Sequence, residues 1–175
     1  SLPGPEETYA QPALTVFLNN GDGTFRSGAA AAGPDAARRV VGRGTAFADF
    51  DNDGDIDVLI ACVNGPPLLL RNERTEGHWL MLRTVGRRGN RDGIGARVSV
   101  VSGGLSQVCE IKRTVGIYGC SDPRAHFGLG AAARVERLRV EWPGGKVTEL
   151  ADLPADVHYV VDEQRGLSRE PIRGR

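Results

Sequence analysis

The sequence predicts an all-β chain, and three observations carry that prediction. Apolar residues come in short bursts, not helical stripes. Turn-forming residues separate the bursts, with 24 Gly and 10 Pro in 175 residues. The longest helix-compatible stretch, Ala29 to Arg39, is interrupted by Gly33-Pro34.

Taken in order, the first expected strand is Leu14 to Leu18, followed by Asn20-Gly21-Asp22-Gly23, which supplies the positive-φ residues a tight turn demands. Thr45 to Asp49 and Asp57 to Val63 flank an acidic stretch, and Leu68 to Arg71 follows the Asn64-Gly65-Pro66-Pro67 breaker. The second half adds Trp79 to Thr84, Ala96 to Val101, Gln107 to Thr114, Val135 to Trp142, Lys146 to Leu150 and Val157 to Asp162. Trp142-Pro143-Gly144-Gly145-Lys146 joins two of these as a hairpin. Residues 1–11 and 165–175 carry Pro, Gly and charge without periodicity and are expected to be flexible ends.

Charge and composition exclude several classes. Lys+Arg and Asp+Glu both number 22, which removes the basic excess of a non-specific nucleic-acid binder. No apolar run approaches the roughly 20 residues of a membrane helix, so membrane insertion is not expected. The balance conceals a polarity: residues 1–77 carry a formal −5 and residues 78–175 a formal +5. Two modules are therefore expected. The start, Ser1-Leu2-Pro3-Gly4-Pro5, has no basic or apolar leader region and reads as a processed or truncated start. The three cysteines (Cys62, Cys109, Cys120) are too few for a disulfide scaffold and show no zinc spacing. A Cys109–Cys120 disulfide with Cys62 as a buried thiol is allowed.

The chemistry sits in Asp49-Phe50-Asp51-Asn52-Asp53-Gly54-Asp55-Ile56-Asp57, with carboxylates at positions 1, 3, 5, 7 and 9 and Gly at 6. Carboxylates so close repel one another. A hard divalent cation removes the repulsion, and Ca²⁺ takes six to eight oxygens at about 2.3–2.6 Å, which a loop curled around one point delivers. An EF-hand needs Glu at position 12 and flanking helices, but position 12 is Ile60 and the flanks look like strands, so a calcium-binding β-hairpin is expected.

These blocks resemble a known family. Asn19-Asn20-Gly21-Asp22-Gly23-Thr24-Phe25, Gly44 to Gly54, Asn64 to Leu68 and Leu70-Arg71-Asn72 resemble the FG-GAP/VCBS repeat of integrin-like β-propellers, over residues 12–77. The resemblance implies a partial propeller blade with Ca²⁺ held by the side chains of Asp49, Asp51, Asp53 and Asp57 and by the Asp55 carbonyl. His78-Trp79-Leu80, Asn90 to Val98, His126-Phe127-Gly128-Leu129-Gly130 and Val140 to Gly145 resemble the ASPIC/UnbV domain, over residues 78–164 and expected as a small antiparallel β-sandwich or barrel. The order of the two is that of cartilage acidic protein 1-like proteins. Barely one and a half blades are present where propellers close with four to eight. The chain is thus expected to be the C-terminal piece of a longer protein, with upstream blades or another chain as partner and glycan as a further candidate ligand.

Other sites fare worse. Gly128-Leu129-Gly130-Ala131-Ala132-Ala133 fits Gly-x-Gly-x-x-Ala, but only four residues precede the next strand, too few for a crossover, so a turn is expected. Ser106 lacks a nucleophile-elbow context, and His78, His126 and His158 lie in separate segments with no zincin spacing. His126 reads as a packed structural histidine, Trp79 and Trp142 as core, and Arg87, Arg88, Arg91 and Arg97 as a solvated basic rim with an acidic-partner site as the sharper alternative. The reading is a calcium-binding, extracytoplasmic or secreted module for protein or glycan binding or assembly, not an enzyme. One alternative is an enzyme or accessory factor of bacterial natural-product biosynthesis, implied by ASPIC/UnbV resemblance alone. A second is a structural subunit of an extracellular or membrane-associated complex.

Overall fold

The computed structural model describes residues 9–28, 32–73, 76–114, 116 and 118–170. It is nearly all β, with fifteen strands and one short helix among the described residues. Most of the expected flexible ends, residues 1–8 and 171–175, lies outside the described residues.

Two compact units are present. The first gathers the described residues up to Ala48 with Ile56–Asn72 and Thr114–Ser121. Its strands are β1 (Gln11–Pro12) on β4 (Arg39–Val40), β2 (Phe17–Asn19) on β3 (Phe25–Ser27), and a three-stranded antiparallel sheet of β5 (Gly42–Ala48), β6 (Asp57–Cys62) and β7 (Leu68–Leu70). The turn chemistry of the β2–β3 hairpin is local. Asn19 Oδ1 accepts from the Gly21 amide and Asp22 Oδ1 from the Thr24 amide, both at 2.8 Å, while Gly21 and Gly23 take φ of 82° and 86°. The expected strand at Leu14 to Leu18 starts later, at Phe17, and the helix α1 (Gly33–Ala36) is limited to one turn with Pro34 at its start. Tyr118 to Ser121 lies along the β5 edge, where the Phe47 amide donates to Ser121 Oγ at 3.2 Å. That contact blunts an otherwise open strand edge.

The first unit buries little. Its buried apolar side chains among the described residues are Ala36, Val58 and Ile60, whereas Phe17, Phe25, Phe47, Leu59 and Leu69 are exposed. Leu59 pairs with Leu69 across β6 and β7, so their shared sheet face is apolar and open.

The second unit is a sandwich that contains the loop Asp49–Asp55, Glu73–Arg113 and the described residues from Asp122 on. One sheet has the order β10-β9-β12-β13, from β9 (Arg97–Ser102), β10 (Leu105–Glu110), β12 (Arg134–Glu141) and β13 (Val147–Pro154). The other runs β11-β8-β14-β15, from β8 (His78–Val85), β11 (Ala125–Gly130), β14 (Val157–Asp162) and β15 (Gly166–Arg169), with β8 and β14 parallel. Period-two alternation sends Val98, Val100, Leu138 and Val140 from the first sheet, and Leu80, Leu82, Phe127, Tyr159 and Val161 from the second, into one core. The Trp142–Lys146 hairpin forms as expected, the Trp142 amide donating to the Lys146 carbonyl at 2.9 Å.

Four expectations need correction. Gly128 to Gly130 is the end of β11 with a register shift, and the turn follows it, because the ladder to β8 continues through Gly130↔His78. Gly166–Arg169 is a strand, because its ladder to β14 orders a segment without apolar periodicity. Trp79 is half-buried on the sheet face opposite the sandwich core, and only Trp142 is a core residue. The Cys109–Cys120 disulfide is not formed: all three cysteines are free, Cys62 is half-buried, Cys109 packs against the sandwich core and Cys120 is exposed.

Candidate metal centre

The acidic loop is built by its own backbone. Asp49 follows β5 directly and turns its buried carboxylate back over the loop, where Oδ1 accepts from the Asp53 amide and Oδ2 from the Gly54 amide, each at 3.1 Å. Asn52 (φ 60°) and Gly54 (φ 99°) supply the left-handed turns this curl requires. Asp57 then opens β6 with a buried carboxylate whose Oδ1 accepts from the Asn72 amide at 2.8 Å.

The curl brings three of the five expected ligands together. Asp49, Asp51 and Asp57 each present a carboxylate oxygen, and these lie within 4.8 Å of one another. That separation suits oxygens on different sides of one cation at about 2.4 Å. Exposed Asp53 lies outside the triad, and its Oδ1 accepts from the Asp55 amide at 3.0 Å. The donor set is hard oxygen without sulfur, which fits Ca²⁺ or Mg²⁺ over zinc. Burial pushes the Asp49 carboxyl above its ordinary range, and a cation there would offset that cost.

Within the second unit, the loop 49–55 rests on the outer face of the β11-β8-β14-β15 sheet. A Cβ on Gly54 would lie 2.0 Å from the Trp79 ring, so the indole abuts the loop backbone. His126 Nε2 sits 2.7 Å from the Gly54 carbonyl, which as an acceptor requires the proton on Nε2. Arg124 donates to the Asp49 carbonyl at 2.9 Å and to Asn52 Oδ1 at 2.8 Å, with its Nε on Asp122 at 2.7 Å. His158 is buried 3.8 Å from Asp49 Oδ2 and meets Trp79 edge-on at 4.8 Å; burial lowers its pKa. Linear spacing could not nominate these supports, because they lie 24 or more residues from the loop in the chain.

Residues 86–168 match the ASPIC and UnbV family, and residues 8–60 match the FG-GAP-like repeat. The chain is thus similar to an FG-GAP-like repeat over its first part and to the ASPIC and UnbV family over its second. Cartilage acidic protein 1 of Homo sapiens is 45% identical over 62 residues, 35% of this chain and 9% of that protein. Its Xenopus tropicalis counterpart is 42% identical over 62 residues, with the same coverage of each chain. The Mus musculus protein is 47% identical over 51 residues, 29% of this chain and 8% of its own length. The aligned part thus spans under a tenth of these relatives. The acidic loop falls inside the FG-GAP-like match, and the sandwich strands β9 to β14 inside the ASPIC/UnbV match. No described helix is long and apolar enough to cross a membrane.

Proposed function

We propose that this chain is a calcium-binding module of a larger extracellular protein, in which the FG-GAP-like repeat docks on further propeller blades. Its role is binding and assembly, without a catalytic step. The observation that carries the reading is the convergence of Asp49, Asp51 and Asp57 at one turn, in a repeat that exposes apolar side chains. Asp53 and the Asp55 carbonyl complete the ligand shell once the cation draws the loop in, a role implied by the FG-GAP/VCBS resemblance. The open Leu59–Leu69 face supports docking, since a blade buries both flat sides against its neighbours. The extracellular setting is taken from the relatives, which are named cartilage acidic protein 1.

Calorimetric titration tests the metal. Calcium is expected to bind with Kd on the order of 10⁻⁴ to 10⁻³ M, more tightly than Mg²⁺, and to raise stability by about 2.7 kcal/mol at a hundredfold excess over Kd. No heat and no change in melting on chelation would overturn it. Size-exclusion chromatography with light scattering tests docking. The chain by itself is expected to self-associate through an interface of at least about 1,000 Å², and a cooperatively melting monomer would defeat the assembly reading.

A further inference from the structure

The second unit holds a second charged feature, opposite in sign to the acidic loop and independent of it. A cavity of about 530 Å³ opens among Arg83 on β8, Arg87 and Arg91 after it, Arg165 in the β14–β15 turn and Arg169 at the end of β15, with Val160 as apolar floor. Five guanidinium groups around one cavity repel one another unless something compensates them, in a chain whose formal net charge is zero.

The carboxylates at hand are already engaged. Asp162 takes the Arg87 guanidinium through Nε at 3.0 Å, and its Oδ1 also accepts from the amides of Gln164 at 2.9 Å and Arg165 at 3.1 Å. Asp92 faces Arg113 at 2.8 Å, a residue outside the cavity. Glu170 is held by Arg83 Nε at 2.8 Å, and Glu163 accepts from the Arg88 amide at 2.9 Å. Arg91 and Arg165 have no carboxylate partner among the described residues. Both residues are exposed, so their guanidinium groups are solvated and open to an incoming anion.

We infer that this cavity binds a small molecule carrying a phosphate or sulfate monoester. Guanidinium groups match tetrahedral oxyanions through paired N–H donors, and several of them around one point favour a doubly charged or sulfated group over a carboxylate. The volume exceeds what a bare ion fills and lies within the range of small-molecule pockets. The ester group sits between Arg91 and Arg165, and the body of the ligand, a sugar being the simplest, lies over Val160. Arg87 is a positioning residue, because Asp162 holds it.

The experiment titrates the full chain with glucose 6-phosphate, glucose 6-sulfate and glucose, by calorimetry and by amide chemical shifts. At least one ester is expected to bind, glucose is not, and the tighter ester identifies the oxyanion. Affinity should fall with added NaCl. The double variant R91A/R165A is expected to weaken binding at least about tenfold while melting as the parent does, since hydrogen bonds to charged groups are lost and no structural pair is broken. Absence of ester binding, equal binding of glucose, or an unchanged affinity in R91A/R165A would overturn the site. Calcium is left out of these titrations, so failure here does not touch the metal reading.

Discussion

The two units spend the same kinds of residues differently. In the sandwich, Leu80, Leu82, Val98, Leu138 and Val161 are buried without residue, because two sheets face each other and every inward position meets another. In the first unit, Phe17 is 66% exposed and Leu69 is 44% exposed, although both lie on strands with well-formed ladders. Backbone pairing alone therefore does not make a core. A single-layer sheet has no second layer of its own to cover its apolar side chains.

The largest expected effect separates the two units. Leu138→Ala should cost about 2–5 kcal/mol by urea unfolding, as for a fully enclosed leucine, whereas Leu69→Ala should stay within about 0.5 kcal/mol. Comparable losses at both positions would show that the open face is covered in solution.

Next is Gly54→Ala, where the left-handed backbone and the Trp79 ring both oppose a methyl group. It should destabilise by about 1–3 kcal/mol and weaken calcium binding by displacing the loop. A variant that melts and titrates like the parent would separate the loop from its support.

Asp49→Asn probes the loop's electrostatics. The folded pKa of Asp49 is raised by burial, so its charge opposes folding when no metal is bound. Without calcium the variant should melt at or above the parent temperature, and with calcium it should lose the ligand-induced gain. A lower melting point in chelator would mean that the carboxylate's hydrogen bonds outweigh its burial.

The smallest effect distinguishes the arginine cavity from the loop. The Arg87 guanidinium, aided by the Gln164 and Arg165 amides, holds the Asp162 carboxyl well below the ordinary carboxylate range. A depressed folded pKa contributes stability above the unfolded value of about 4 and loses it as pH falls through the folded value. Melting temperature should accordingly decline below about pH 4, and Arg87→Ala should flatten that decline. An unchanged acid limb in the variant would place the pH sensitivity elsewhere.

Much of this was legible in the chain. The Asn20–Gly23 and Trp142–Lys146 turns, the acidic loop and most strands follow from positive-φ residues and period-two patterning, which act over a few neighbours. What escaped was non-local. β11 contains two glycines, and β15 reads as a polar tail; each is a strand because β8 or β14 offers it a ladder. Cys109 looked like one end of a hairpin staple, but its side chain packs against the sandwich core.

By itself the sequence determined that the chain is β and that five aspartates crowd one turn, because each of these depends on residue type and short-range spacing. Only the tertiary structure decided that the carboxylates of Asp49, Asp51 and Asp57 form one triad, and that Trp79, Arg124, His126 and His158 support the loop. It likewise decided that arginines from positions 83 to 169 surround one cavity. The reason is physical. Charge convergence and side-chain support are set by how sheets pack and strands cross, and those contacts join residues that no local pattern in the chain relates.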